Sequence, residues 1–143
     1  MPRQATGGVL KMRDLFEFAE FLASSWRLAN GDNRMPTSHG ILDRALYELL
    51  SEMPEKYRKS LSFGNTRVGF RCYELADILY CAQANQLTSE PNPNYLTTAI
   101  QVTEGTARRI IRRHKVNPDI ARKFGARLKL LTDKAKEKEN AAA

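Results

Sequence analysis

The chain has 143 residues, 42% hydrophobic and 27% charged, with a formal net charge of +7. That length predicts one domain with its own core and excludes collagen-like, low-complexity and wholly disordered classes. No apolar run reaches the roughly 18–20 residues of a spanning helix, the N-terminus lacks the apolar stretch of a secretory signal, and Cys72 and Cys81 are too few for a disulfide framework, so a reduced cytoplasm is the expected compartment.

Helical periodicity dominates. From Leu10 to Asn30, Leu15, Phe18, Leu22, Trp26 and Ala29 make one stripe, which Phe16 and Phe21 widen. Those aromatics read as core, or else as a dimer face. Asn30-Gly31-Asp32-Asn33 ends the helix with turn chemistry. Thr37 or Ser38 is the predicted cap of a second helix carrying Ile41, Leu42, Ala45, Leu46, Leu49 and Leu50. Pro54 suits the first position of a short helix, Glu55 to Leu61. Ser62 to Phe70 does not read as helix; Gly64-Asn65 turns a small hairpin there, or the stretch is a loop. Helix resumes from about Arg71 to Gln86, with Leu75, Ile78, Leu79 and Ala82 on one side. Asn92-Pro93 is a cap signature for a helix through Tyr95, Leu96 and Ile100. A further helix follows from Glu104 to Lys115. Asn117-Pro118-Asp119 then caps the last one, which runs toward Lys134, with residues 134–143 expected to be a frayed basic tail. The fold class expected is all-α, a multi-helix bundle with residues 1–70 as an N-terminal support and dimerisation region and 71–133 as the functional region.

The charge is one-sided. Residues 1–100 hold equal numbers of basic and acidic side chains, whereas residues 101–143 hold twelve basic against five acidic. A one-ended basic field attracts polyanions, of which nucleic acid is the usual one. Within it, Ala107-Arg-Arg-Ile-Ile-Arg-Arg alternates apolar and basic pairs. Ile110 and Ile111 then bury while Arg108, Arg109, Arg112 and Arg113 cluster outward. Arginine grips phosphate or guanine with two parallel N–H bonds.

Residues 95–113, Tyr-Leu-Thr-Thr-Ala-Ile-Gln-Val-Thr-Glu-Gly-Thr-Ala-Arg-Arg-Ile-Ile-Arg-Arg, resemble a helix-turn-helix. In that superfamily a short apolar helix packs on a second helix that enters the major groove. Thr103 stands where a serine or threonine caps the recognition helix, and Val102, Ala107 and Ile110 match the apolar positions between the helices. The resemblance covers about 20 residues and names a superfamily only. It implies base readout by Glu104, Thr106, Arg108, Arg109 and Arg112. Phosphate contacts would come from Thr103, Gly105, Arg113, Lys115, Arg122, Lys123 and Arg127.

No catalytic constellation stands out, and no cofactor is expected. His39 and His114 read as surface histidines, and Glu17 and Glu20 as a solvated helix face. The scattered Cys and His do not have zinc spacing. The reading is therefore a non-enzymatic, sequence-specific protein for double-stranded DNA, a small regulator of transcription or replication from a bacterium, phage or plasmid. The expected partners are double-stranded DNA and a second copy of the chain through the N-terminal helices, with no membrane partner. The alternatives are an RNA-binding helical subunit and an adaptor whose basic face docks an acidic protein.

Overall fold

A computed structural model of the chain describes residues 7–38, 40–89 and 96–142. The first apolar stripe forms α1 (Gly7–Ala29), and Leu15, Phe18, Phe21, Leu22 and Trp26 are all buried along it. These aromatics are spent inside the chain: Phe21 stacks on Tyr57 at 4.4 Å and lies 4.9 Å from Phe124. The stripe read as core or dimer face is thus core. The indole N–H of Trp26 donates to the Asp32 carbonyl at 2.8 Å, closing the turn after the helix.

The remaining order is β1 (Arg34–Pro36), α2 (Ile41–Glu48), a 3-10 turn (Leu50–Glu52), α3 (Glu55–Arg58), β2 (Phe63–Thr66) and β3 (Gly69–Cys72). Then come α4 (Leu75–Ala84), β4 (Thr97–Ala99), α5 (Glu104–Arg113) and α6 (Pro118–Ala142). α1 is the central helix and packs against α4, α5 and α6.

The all-α expectation is therefore wrong. The described residues include four short strands in two antiparallel pairs, β1 with β4 and β2 with β3. The largest departure is at residues 97–99, where the periodicity predicts the first helix of a helix-turn-helix and the structure has a strand. Thr97-Thr98 is a β-branched pair suited to extended backbone. Its partners come from distant parts of the chain. Thr98 lies opposite Met35 in β1, while on the other side Ser89 donates its N–H to the Ala99 carbonyl at 2.9 Å and Thr88 bridges Ile100. The Thr98 hydroxyl donates to the Ser89 carbonyl at 2.6 Å. With both edges engaged, the segment has no backbone groups left for a helix. Among the described residues of 96–113, the first helix of the pair is absent and only the second, α5, is present. The cap signature at Asn92-Pro93, and Tyr95, lie outside the described residues, as does His39.

Smaller corrections share a cause. The sequence places the cap of α2 at Thr37 or Ser38. The structure places it at Gly40, whose N–H donates to the Asp43 carboxylate at 2.9 Å while glycine accepts φ +86° without strain. The same buried carboxylate accepts from the Cys72 N–H at 2.6 Å, tying α2 to the hairpin. The hairpin turns at Arg67-Val68, not Gly64-Asn65, which lie inside β2. There the Thr66 hydroxyl donates to the Gly69 carbonyl at 2.7 Å and Gly69 takes φ +109°. The hairpin delays α4 to Leu75, and the boundary expected at residue 70 falls inside β3. Residues 134–142 lie within α6 as helix.

Gly125 sets the α1–α6 crossing. A Cβ on Gly125 would collide with the Ser25 carbonyl and sit 2.8 Å from the Ala29 Cβ. Ser25 and Ala121, also at this level, are small and buried. Rigid helical backbone cannot yield as a flexible side chain would. Gly125→Ala should therefore lower stability by about 1–3 kcal/mol, despite the better helix propensity of alanine, as read by urea denaturation.

Candidate nucleic-acid interface

α5 forms because its sides separate cleanly: Ala107, Ile110 and Ile111 are buried, while Glu104, Gly105, Arg108, Arg109, Arg112 and Arg113 are exposed. Its start is capped as the sequence predicts. The Thr103 hydroxyl accepts from the Thr106 N–H at 3.1 Å, and the Thr106 hydroxyl accepts from the Arg109 guanidinium at 3.0 Å. The α6 start is also as expected, with the Asn117 side chain accepting from the Asp119 N–H at 2.8 Å.

Two side chains of α1 grip both ends of α5. Near its start, Arg27 donates to the Val102 carbonyl at 2.9 Å and the Ile100 carbonyl at 3.0 Å. At its end, the Glu20 carboxylate receives Arg113 at 2.7 and 2.8 Å and His114 Nε2 at 2.8 Å. His114 Nδ1 meets the Tyr57 hydroxyl at 2.5 Å. One tautomer satisfies the chain: Tyr57 O–H donates to Nδ1, and Nε2–H donates to Glu20. Lys56 adds a donor to the His114 carbonyl, favourable at the negative end of a helix.

This corrects two expectations. His114 is not a surface histidine and Glu20 is not on a solvated face; each is 7% exposed. Glu20 is buried because α5 covers it, and that contact spans more than 90 residues. Lys56 was missed for the same reason, since nothing local to it signals proximity to α5.

The structure sorts the predicted site residues. Arg113 is committed to Glu20, and Arg127 of α6 forks onto Glu52 at 3.1 and 3.3 Å. Thr103 and Thr106 are occupied by the cap. Arg108, Arg112, Lys115 and Arg122 are brought together: with Val116, Asn117 and Pro118 they line a cleft of about 490 Å³ between the end of α5 and the start of α6. Arg108 pairs with Glu104, and Arg122 with Asp119 at 3.5 Å. Both pairs are solvent-exposed and local to one helix, so they are weak and exchangeable. Arg112 and Lys115 have no carboxylate partner among the described residues. Arg109 and Lys123 are exposed on the same two helices.

The two ends of α5 break local rules in opposite directions. Gly105 sits in the first turn, where alanine would be favoured, yet nothing lies within 4 Å of the Cβ it lacks. Lys115 follows the helix end at φ +61°, the position glycine usually takes. There its N–H donates to the Arg112 carbonyl at 2.9 Å, and Val116 N–H donates to Ile111 at 3.1 Å. Internal packing does not require the glycine, whereas the turn at Lys115 is a helix closure that α4 makes in the same way at Gln86, φ +62°, where the Leu87 N–H donates to the Ala82 carbonyl at 2.8 Å. The glycine leaves the helix start open to close approach, and the lysine places a cation on the cleft.

Among the described residues no cluster of His, Cys, Asp and Glu has the makings of a metal site, and no helix is long and apolar enough to cross a membrane. Cys72 and Cys81 are free and buried. Burial, with the Glu74 and Asp43 carboxylates nearby, pushes the Cys72 thiol up to about 12, so it is a thiol and not a thiolate at neutral pH. Comparison of the chain with protein-family models, with characterised proteins and with solved structures finds no significant match.

Two outcomes test the grip on α5. Glu20→Ala strips the buried His114 of its acceptor and should lower stability by about 2 kcal/mol in urea. Glu17→Ala, one turn earlier and half-exposed, should stay within about 0.5 kcal/mol. The second outcome concerns pH. Burial, then Glu17 and Glu20, raise the Tyr57 phenol well above its ordinary 10.0. Above that pH the unfolded chain loses the proton and the folded chain keeps it, so stability falls as pH rises. Tyr57→Phe should remove that alkaline decline in a pH series of denaturation curves.

Proposed function

We propose that this protein binds double-stranded DNA through the outward face of α5 and the cationic cleft it shares with α6. The carrying observation is the cleft that Arg108, Arg112, Lys115 and Arg122 line at the end of α5, with Gly105 open to the outside at the start of the same helix. A glycine in the first turn of a helix that no internal contact requires points to a function.

Each group has a role in this reading. Arg112 and Lys115, with Arg108 and Arg122 released from their surface pairs, neutralise phosphates along the cleft, and Lys123 extends the track. Gly105 lets a phosphate approach the free N–H groups of the first turn. Glu104, Arg108, Arg109 and Arg112 present the donor and acceptor types that read base edges. α5 spans ten residues, about 15 Å, and a helix of that length fits the DNA major groove, whereas that of duplex RNA is too narrow. The cationic face has no stacking platform: the one aromatic of residues 104–127, Phe124, is buried. That favours a duplex over single strands. Sequence specificity and a regulatory role are part of the same proposal.

Fluorescence anisotropy against duplex DNA, single-stranded DNA and duplex RNA over a salt series tests it. The expected result is preference for duplex DNA, with Arg108→Ala/Arg112→Ala flattening the slope of log K against log salt by about 1.8. Gly105→Ala should raise stability by about 0.5–1 kcal/mol yet weaken DNA binding. Equal affinity for all three polyanions at low salt, vanishing by about 200 mM, would reduce the reading to nonspecific charge.

A further inference from the structure

Arg113 differs from the other arginines of α5 in what holds it. Arg108 pairs with Glu104, and both side chains are more than half exposed. Such a pair exchanges readily with an external anion. Arg113 is just as reachable from solvent, with 62% of its side chain exposed, but only 9% of the side chain of its partner Glu20 is. One guanidinium nitrogen of Arg113 donates to both Glu20 oxygens, at 2.8 and 2.7 Å, and His114 Nε2 donates to one of them at 2.8 Å. Were Arg113 to leave for a phosphate, the buried carboxylate would keep its charge with a neutral imidazole as its one partner among the described residues. Removing one side of a buried ion pair is strongly unfavourable, because the charge left behind is poorly solvated. Arg113 also does not line the cleft that Arg108 and Arg112 share.

We propose that Glu20 is a positioning residue that sets the selectivity of the DNA face: by holding Arg113 it keeps one exposed cation of α5 off the phosphates. The proposal rests on the DNA reading and concerns how that site is restrained. A phosphate contact adds affinity without reading sequence, and it adds it for DNA and RNA, double- or single-stranded alike. Preference for duplex DNA comes instead from the fit of α5 to a groove and from its contacts with base edges. Each further free arginine therefore raises affinity for every polyanion and narrows the margin for the right one. Arg109 is exposed one turn before Arg113 on the same side of the helix. A phosphate backbone drawn to Arg109 thus passes within reach of Arg113 once that side chain is released. With Glu20 in place, the guanidinium is visible to the polyanion and unable to turn to it.

Anisotropy titrations over a salt series read the withheld cation directly, because each phosphate contact contributes about 0.9 to the slope of log K against log salt. Arg113→Gln should leave the slope for duplex DNA unchanged. Glu20→Gln keeps an acceptor for His114 but removes the charge that holds Arg113. It should steepen the slope by about 0.9 and bring the affinities for duplex DNA, single-stranded DNA and duplex RNA closer together. Combining the two substitutions should return the slope to its wild-type value, which a merely structural role for Glu20 would not do. Circular dichroism checks the fold of each variant, and Arg113→Gln, which alters an exposed side chain, reads the point even if Glu20→Gln does not fold. A slope that flattens by about 0.9 in Arg113→Gln would overturn the proposal and leave the DNA reading intact. A folded Glu20→Gln with the wild-type slope would do the same. A wild-type protein that does not bind duplex DNA at low salt would overturn the DNA reading, and this inference with it.

Discussion

The structure depends on how α1 holds α5. Glu20 and Arg27 lie two turns apart on one helix and act at opposite ends of the other. Glu20 takes the final turn through Arg113 and His114, and Arg27 takes the carbonyls of Ile100 and Val102 just before the helix starts. α5 therefore runs antiparallel to α1 at a fixed register. An exposed helix crowded with arginines repels itself. Pinning it at both ends, with Ile110 and Ile111 in the core between, keeps those cations fixed instead of letting the last turn fray.

Ion pairs made on folding decide which arginines are available and which are not. Arg113 spends its charge on Glu20, and Arg127 on Glu52. Arg108, Arg112, Lys115 and Arg122 are left converging on one cleft. The buried carboxylate thus selects, from a run of like residues, which remain free to meet an external anion. Burying Glu20 is tolerable because its oxygens are met by two partners, and His114 is in turn satisfied by Tyr57.

Much of this was legible in the sequence. The apolar stripes of α1, α2, α4, α5 and α6 recur at helical spacing, and the caps at Thr103 and Asn117 involve residues within three positions of each other. The basic face of α5 was legible too, because Ile110-Ile111 between two arginine pairs has one amphipathic solution. What failed was every feature with a distant partner. Thr97–Ala99 reads as helix until β1 and Ser89 are known to flank it, nothing local to Asp43 signals its bond to Cys72, and Glu20 reads as solvated until α5 covers it.

The sequence by itself determined where most helices lie, which faces of them are apolar, and that the excess positive charge falls on the last third of the chain. These are consequences of side-chain chemistry at spacings of three and four residues, which the chain carries locally. Only the tertiary structure decided that 97–99 is extended, that Arg113 and Arg127 are engaged while Arg112 and Lys115 are not, and that two helices meet at Gly125. Those outcomes depend on which backbone groups and carboxylates lie opposite one another after folding. A buried donor takes whatever acceptor the fold presents, and no local spacing records that choice.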